Sequence, residues 1–117
     1  MNNREIALLA AKAMDDRKGQ DVVILDVAQR ASFADYLVIA SGMTDRLVAA
    51  LCDEVEDRLA KEGIFVKNTE GKGNTGWILM DFGDVIVHLF DAENRDFFKL
   101  EKLWASAEKI ELELKED

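Results

Sequence analysis

The sequence predicts a single α/β domain spanning residues 1–117, a mixed β-sheet with flanking helices in the order αββαβββα. Three observations carry that reading. The chain has 117 residues, enough to close one hydrophobic core and too few for two. Some stretches place apolar residues at three- and four-residue spacing, the period of a helix with one buried stripe. Around these lie short runs rich in Val and Ile, several of them ended by glycine, as strands are.

Residues 4–17 read as the first helix, with Ile6, Leu9, Ala10, Ala13 and Met14 on one face. Lys18-Gly19-Gln20 closes it. The runs DVVILDV (21–27) and YLVIAS (36–41) are two buried strands. Gly42 ends the second, and the Thr44 hydroxyl is placed to cap a following helix. Across 45–62 the stripe is Leu47, Val48, Leu51, Cys52, Val55 and Leu59, while Asp53, Glu54, Glu56, Asp57 and Arg58 take the opposite face. Gly63 is the expected stop. Residues 64–67 (IFVK) are the expected third strand, and 68–76 a glycine-rich loop. WILMD (77–81) and DVIVHLF (84–90) form a hairpin turning at Phe82-Gly83. From Glu93 to about Leu114 the period is helical again, and the last residues fray.

Charge narrows the function. The chain carries 24 acidic against 15 basic side chains, a net −9, with no basic stripe. Proteins that grip phosphates need the reverse, so little or no direct nucleic-acid contact is expected. An acidic surface suits a basic partner, and ribosomal proteins are a large pool of those. A lone cysteine, Cys52, forms no internal disulfide and fits a reducing compartment. No long apolar run follows a basic start, and none approaches the length of a membrane span. The expectation is a soluble, cytoplasmic protein without membrane contact.

The hairpin carries an unusual face. A turn at Phe82-Gly83 pairs Asp81 with Asp84, Met80 with Val85 and Ile78 with Val87, so one face is wholly apolar. The other sets Trp77 opposite His88 and Leu79 opposite Ile86, with Asp81, Asp84 and Phe90 beside them. A solvent face would be more polar, and a core face would not hold two carboxylates and a histidine. Two readings fit: the centre of a protein interface, or a face covered by the C-terminal helix.

No constellation supports catalysis, a metal or a cofactor. GKGNTG (71–76) has dinucleotide-motif spacing, but a strand follows it where phosphate binding needs a helix N-terminus. His88 is the single histidine, and no zinc spacing surrounds it. Asp81 and Asp84 flank a turn, where carboxylates commonly cap or face water. Ser32 and Ser41 lack the nucleophile-elbow glycines, and Cys52 lies on an apolar helix stripe. Arg95 reads as a surface ion pair and Trp104 as core packing; of the adjacent Phe97 and Phe98, one must be partly exposed.

The segments ADYLVIASGMTDR (34–46), EGKGNTGWILMDFGDVIVHLF (70–90) and RDFFKLEKLW (95–104) resemble the ribosomal silencing factor family, also called the Iojap or YbeB family. The likeness covers nearly the whole chain. It implies a nucleotidyltransferase-like fold without the enzyme, since SGMTDR (41–46) lacks the Asp-x-Asp pair that holds metal. It implies binding to the large ribosomal subunit through its ribosomal protein fourteen, which sterically blocks joining of the small subunit and represses translation. It also implies homodimers in some members and a large-subunit assembly role in organellar ones. The non-family rival is a degenerate nucleotidyltransferase that still holds nucleotide at 71–76. Carried onto this chain, the partner-binding residues are Trp77, Asp81, His88, Phe90, Arg95 and Phe98, with Asp35, Tyr36, Glu70 and Glu101 as a second tier shaping the sheet edge. Trp77 and Phe90 would be the anchors, Asp81 would meet a basic side chain, and His88 would hydrogen-bond at the rim. Phe98 stands where the family commonly has Tyr.

Overall fold

A computed structural model describes residues 1–29, 31–71 and 76–91, and the backbone of 108–110. The elements run α1 (Asn3–Asp16), β1 (Gln20–Asp26), β2 (Tyr36–Gly42), α2 (Asp45–Lys61), β3 (Asn68–Glu70), β4 (Trp77–Asp81), β5 (Val85–Asp91) and β6 (Glu108–Ile110). The strands form one sheet in the order β3-β4-β5-β2-β1-β6. Only β2 and β5 run parallel among these pairs, which makes the sheet mixed as expected.

Local chemistry sets the helix ends. Asn2 and Glu5 form a reciprocal capping box, each side chain accepting from the other's backbone N–H at 2.8 and 2.9 Å. The Thr44 hydroxyl accepts from the Leu47 N–H at 3.0 Å, which starts α2 where the sequence places it. Both helices end in the same way. Gly19 N–H reaches back to Met14 O and Ile64 N–H to Leu59 O, with Lys18 and Gly63 in the left-handed region at φ 69° and 82°.

α1 and α2 cover one face of the sheet. That face consists of Ile24, Val38, Ala40, Ile78, Met80, Val85, Val87 and Leu89, all buried. Ala7, Ala10, Ala11 and Ala13 are fully buried, and their small side chains let α1 lie close to its neighbours. Leu51, Cys52, Val55 and Leu59 complete the core from α2. At the rim, Arg58 bonds Asp16 and Glu54 at 2.8 Å each, and Arg17 bonds Glu54 at 3.1 Å. The Arg58–Asp16 and Arg17–Glu54 pairs link the two helices, Arg58–Glu54 lies within α2, and each part-exposed pair contributes at most about 1 kcal/mol. The Arg58 hydrogen bond, then that of Lys12, holds the Asp16 carboxyl below its usual range.

Three expectations are corrected. The third strand is Asn68–Glu70 and not 64–67. The Ile64 N–H is used to terminate α2, Ile64 and Val66 pack on the core, and Phe65 is 69% exposed, so backbone pairing with β4 begins only at Lys67, whose N–H bonds Asp81 O at 2.8 Å. The hairpin turn is Gly83-Asp84, because Gly83 accepts φ 101° and Phe82 N–H bonds Val85 O at 3.0 Å. Register therefore moves by two residues: Asp81 faces Ile86, Met80 faces Val87 and Trp77 faces Phe90. A shift of two preserves which face each side chain occupies. The third correction falls in the expected last helix, where Glu108–Ile110 is a strand antiparallel to β1. The outer backbone groups of Ile24, Leu25 and Asp26 need hydrogen-bond partners, and that demand outweighs helical periodicity here. The rest of that expected helix lies outside the described residues.

Candidate partner-binding face

The face of the sheet away from α1 and α2 follows from the strand register. Strand alternation puts Asn68 and Glu70 of β3, Trp77, Leu79 and Asp81 of β4, and Ile86, His88 and Phe90 of β5 together. Leu37 and Ile39 of β2 and Val23 and Leu25 of β1 continue the same surface. It is graded. Leu25, Leu37, Ile39 and Phe90 are buried and form a second apolar cluster with Val27. Trp77, Leu79, Asp81 and Ile86 are half-buried, and Asn68 and Glu70 are exposed. One half of this face is dry and the other half meets solvent, with three large apolar side chains among acidic ones.

At the boundary stand three aromatic rings. Trp77 stacks on Phe90 with centroids 5.6 Å apart and on His88 at 5.9 Å, and His88 lies 6.1 Å from Phe90 at 5° between planes. The Trp77 indole Nε1–H donates to His88 Nδ1 at 3.1 Å. That bond requires a neutral imidazole with its proton on Nε2. His88 is 8% exposed, and burial pushes its pKa from 6.5 down to about 4. Expected to face Trp77 directly across the hairpin, His88 lies diagonal to it, and Leu79 takes the facing position.

The remaining predicted residues disperse. Asp81 stays at the end of β4, where its Oδ1 accepts from the Gly83 N–H at 2.7 Å; a carboxylate has further acceptor sites. Glu70, on the edge strand, accepts from the Asn68 amide at 2.9 Å. Asp35 and Tyr36 do not shape a sheet edge, because β2 is an inner strand. Tyr36 packs on the helix-covered core, and Asp35 accepts from the Asn3 amide, which also reaches Asp84. Arg95, Phe98 and Glu101 lie outside the described residues. Leu79 and Ile86, absent from the predicted set, belong to the exposed half; strand alternation alone identifies them.

The described part of the 71–76 segment connects β3 to β4, with Gly71 and Gly76 both at positive φ. A side chain on Gly71 would meet the Trp77 carbonyl, so this glycine allows the chain to close on β4. Cys52 is fully buried in the α2 stripe. Among the described residues no three His, Cys, Asp or Glu side chains converge as a metal site, and no helix is long and apolar enough to cross a membrane.

Comparison with known proteins adds the following. The family model described as "Ribosomal silencing factor during starvation" matches residues 1–117. The ribosomal silencing factor RsfS of Bacillus subtilis is 39% identical over 113 residues, covering 97% of this chain and 96% of that protein. The chloroplastic protein Iojap of Zea mays is 31% identical over 91% of this chain and 46% of its own. A crystal structure of a Chromobacterium violaceum protein superposes with a TM-score of 0.87 at 33% identity, covering 98% of this chain and 95% of that one. One from Bacillus halodurans gives 0.82 at 35%, covering 94% and 100%.

Proposed function

The chain belongs to the ribosomal silencing factor family, and on that premise we propose that it docks on the large ribosomal subunit through ribosomal protein fourteen. Docked there, it blocks joining of the small subunit by its bulk and represses translation, with no catalytic step. The observation that supports this reading is the exposed half of the second sheet face. Trp77, Leu79 and Ile86 offer an apolar centre, while Asp81 and Glu70 supply a negative border. A net charge of −9 opposes gripping rRNA phosphate and favours a basic protein surface. Phe90 is 1% exposed, so within this face it supports Trp77 from below and leaves the contact to its neighbours.

The test is co-sedimentation with purified large subunits, followed by addition of small subunits. Wild-type protein is expected to pellet and to suppress joining. Trp77→Ala is expected to bind at least thirty-fold more weakly, the effect of about 2 kcal/mol at an interface centre. A folded Trp77→Ala protein that pellets normally would move the docking site elsewhere. Wild-type protein that never pellets would end the ribosomal reading.

A further inference from the structure

Resting on the docking reading, we infer that His88 is a positioning residue: its Nδ1 holds the Trp77 indole N–H, so that the partner meets Trp77 by its ring and edge and not by its hydrogen-bond donor. Geometry carries this. The donor–acceptor distance is 3.1 Å, and the two rings are near parallel, 21° apart. Phe90 backs both rings at 5.6 and 6.1 Å, which leaves the indole little room to rotate. His88 itself is 8% exposed and therefore presents almost nothing to a partner, whereas Trp77 is half-buried.

The consequence is a statement about the partner's chemistry. An indole whose N–H is already used binds through its apolar surface and its π-face. With Asp81 and Glu70 on the same face, the group that fits best against its exposed edge is the aliphatic stem of a basic side chain. A carbonyl or carboxylate reaching for the indole N–H would have to displace His88 first. The ring is also held before binding, so less side-chain freedom is lost on docking.

His88→Asn and His88→Leu separate positioning from contact. Asn can place its Oδ1 near the position of Nδ1, while Leu fills comparable space without an acceptor. The first readout is hydrogen exchange of the Trp77 indole N–H by NMR, assigned through Trp77→Phe. Exchange is expected to be slow in wild type and His88→Asn, and fast in His88→Leu. The second readout is affinity for purified large subunits, which should fall roughly ten-fold in His88→Leu, the size of one lost hydrogen bond, and stay within two-fold in His88→Asn.

A folded His88→Leu protein that binds like wild type would overturn the inference. So would a His88→Asn protein that keeps slow exchange yet binds as weakly as His88→Leu, since His88 would then touch the partner itself. If Trp77→Ala also binds normally, the docking reading fails instead; the exchange data still decide whether His88 holds the indole.

Discussion

The two faces of the sheet are built from the same strands and solve opposite problems. Towards α1 and α2 the side chains are Ile24, Val38, Ile78, Met80, Val87 and Leu89, aliphatic and dry from one edge of the core to the other. Away from them the surface begins just as dry at Leu25, Leu37 and Ile39, passes through the Trp77–His88–Phe90 stack, and ends half-buried at Leu79, Asp81 and Ile86. A face that is only core has no use for a histidine or a tryptophan donor. A face that is only solvent has no use for Phe90. The gradient shows one surface serving both, with the inner half fixing the shape that the outer half presents.

The largest expected effect tests the claim that the inner half is a true core. Phe90→Ala should lower stability by about 3–5 kcal/mol, in the range of Met80→Ala on the helix-covered face at about 2–5 kcal/mol. Urea unfolding midpoints of the two variants measure it directly. A loss below about 1 kcal/mol for Phe90→Ala would reduce the second face to a surface layer.

Next in size is the response to acid, which the helix-covered face has no group to produce. His88 is held neutral by burial, its pKa lowered from 6.5 to about 4. Between those values the unfolded chain binds the proton and the folded chain does not. Stability is therefore complete above about pH 6.5 and declines as pH falls, by about 3 kcal/mol on reaching pH 4. Carboxylates titrate near the lower end, so the quantity to measure is the difference between wild type and His88→Leu across that range. Parallel curves from pH 7 to pH 4 would mean that His88 titrates normally and is not desolvated.

A third prediction separates the outer half from the inner. Trp77→Ala should lower folding stability by only about 1–2 kcal/mol, because a half-buried side chain already keeps part of its hydration in the folded state. Its loss in large-subunit affinity should be at least as great. Phe90→Ala should show the reverse balance, costing more in folding than in binding once the folded fraction is accounted for. Equal balances in the two variants would erase the distinction between the halves.

Much of this contrast is legible in the sequence, and the parts that are not have identifiable causes. Period-two alternation assigns each strand residue of the hairpin to its face correctly even though the turn itself is one residue further on, because the resulting shift is even; Asp84 is the exception, moving into the turn and bonding Asn3 of α1. The helix caps at Thr44 and Gly63 are read from residue type alone. What pattern cannot supply is competition for backbone groups. Ile64–Lys67 looks like a strand, yet the Ile64 N–H is taken by the end of α2; Glu108–Ile110 continues a helical period, yet pairs with the edge of β1. Depth is equally invisible: Trp77 and Phe90 are read as paired anchors and His88 as a rim contact, whereas the structure buries His88 and Phe90 and leaves Trp77 at the boundary.

The smallest effect belongs to the helix layer and concerns how each helix leaves the dry face. α1 and α2 end in the same left-handed turn, but Lys18 occupies the position that Gly63 takes in α2. A side chain there costs about 1–2 kcal/mol of steric strain, and glycine returns part of that through its greater unfolded-state entropy. Lys18→Gly should therefore stabilise the protein by about 0.5–1 kcal/mol. Gly63→Ala should destabilise it by a similar amount for backbone reasons alone, since nothing lies within 4 Å of where its Cβ would sit. Opposite signs in thermal unfolding would show that the helix layer carries strain at α1 and none at α2; a destabilised Lys18→Gly protein would mean that the Lys18 side chain, not its backbone, holds that turn.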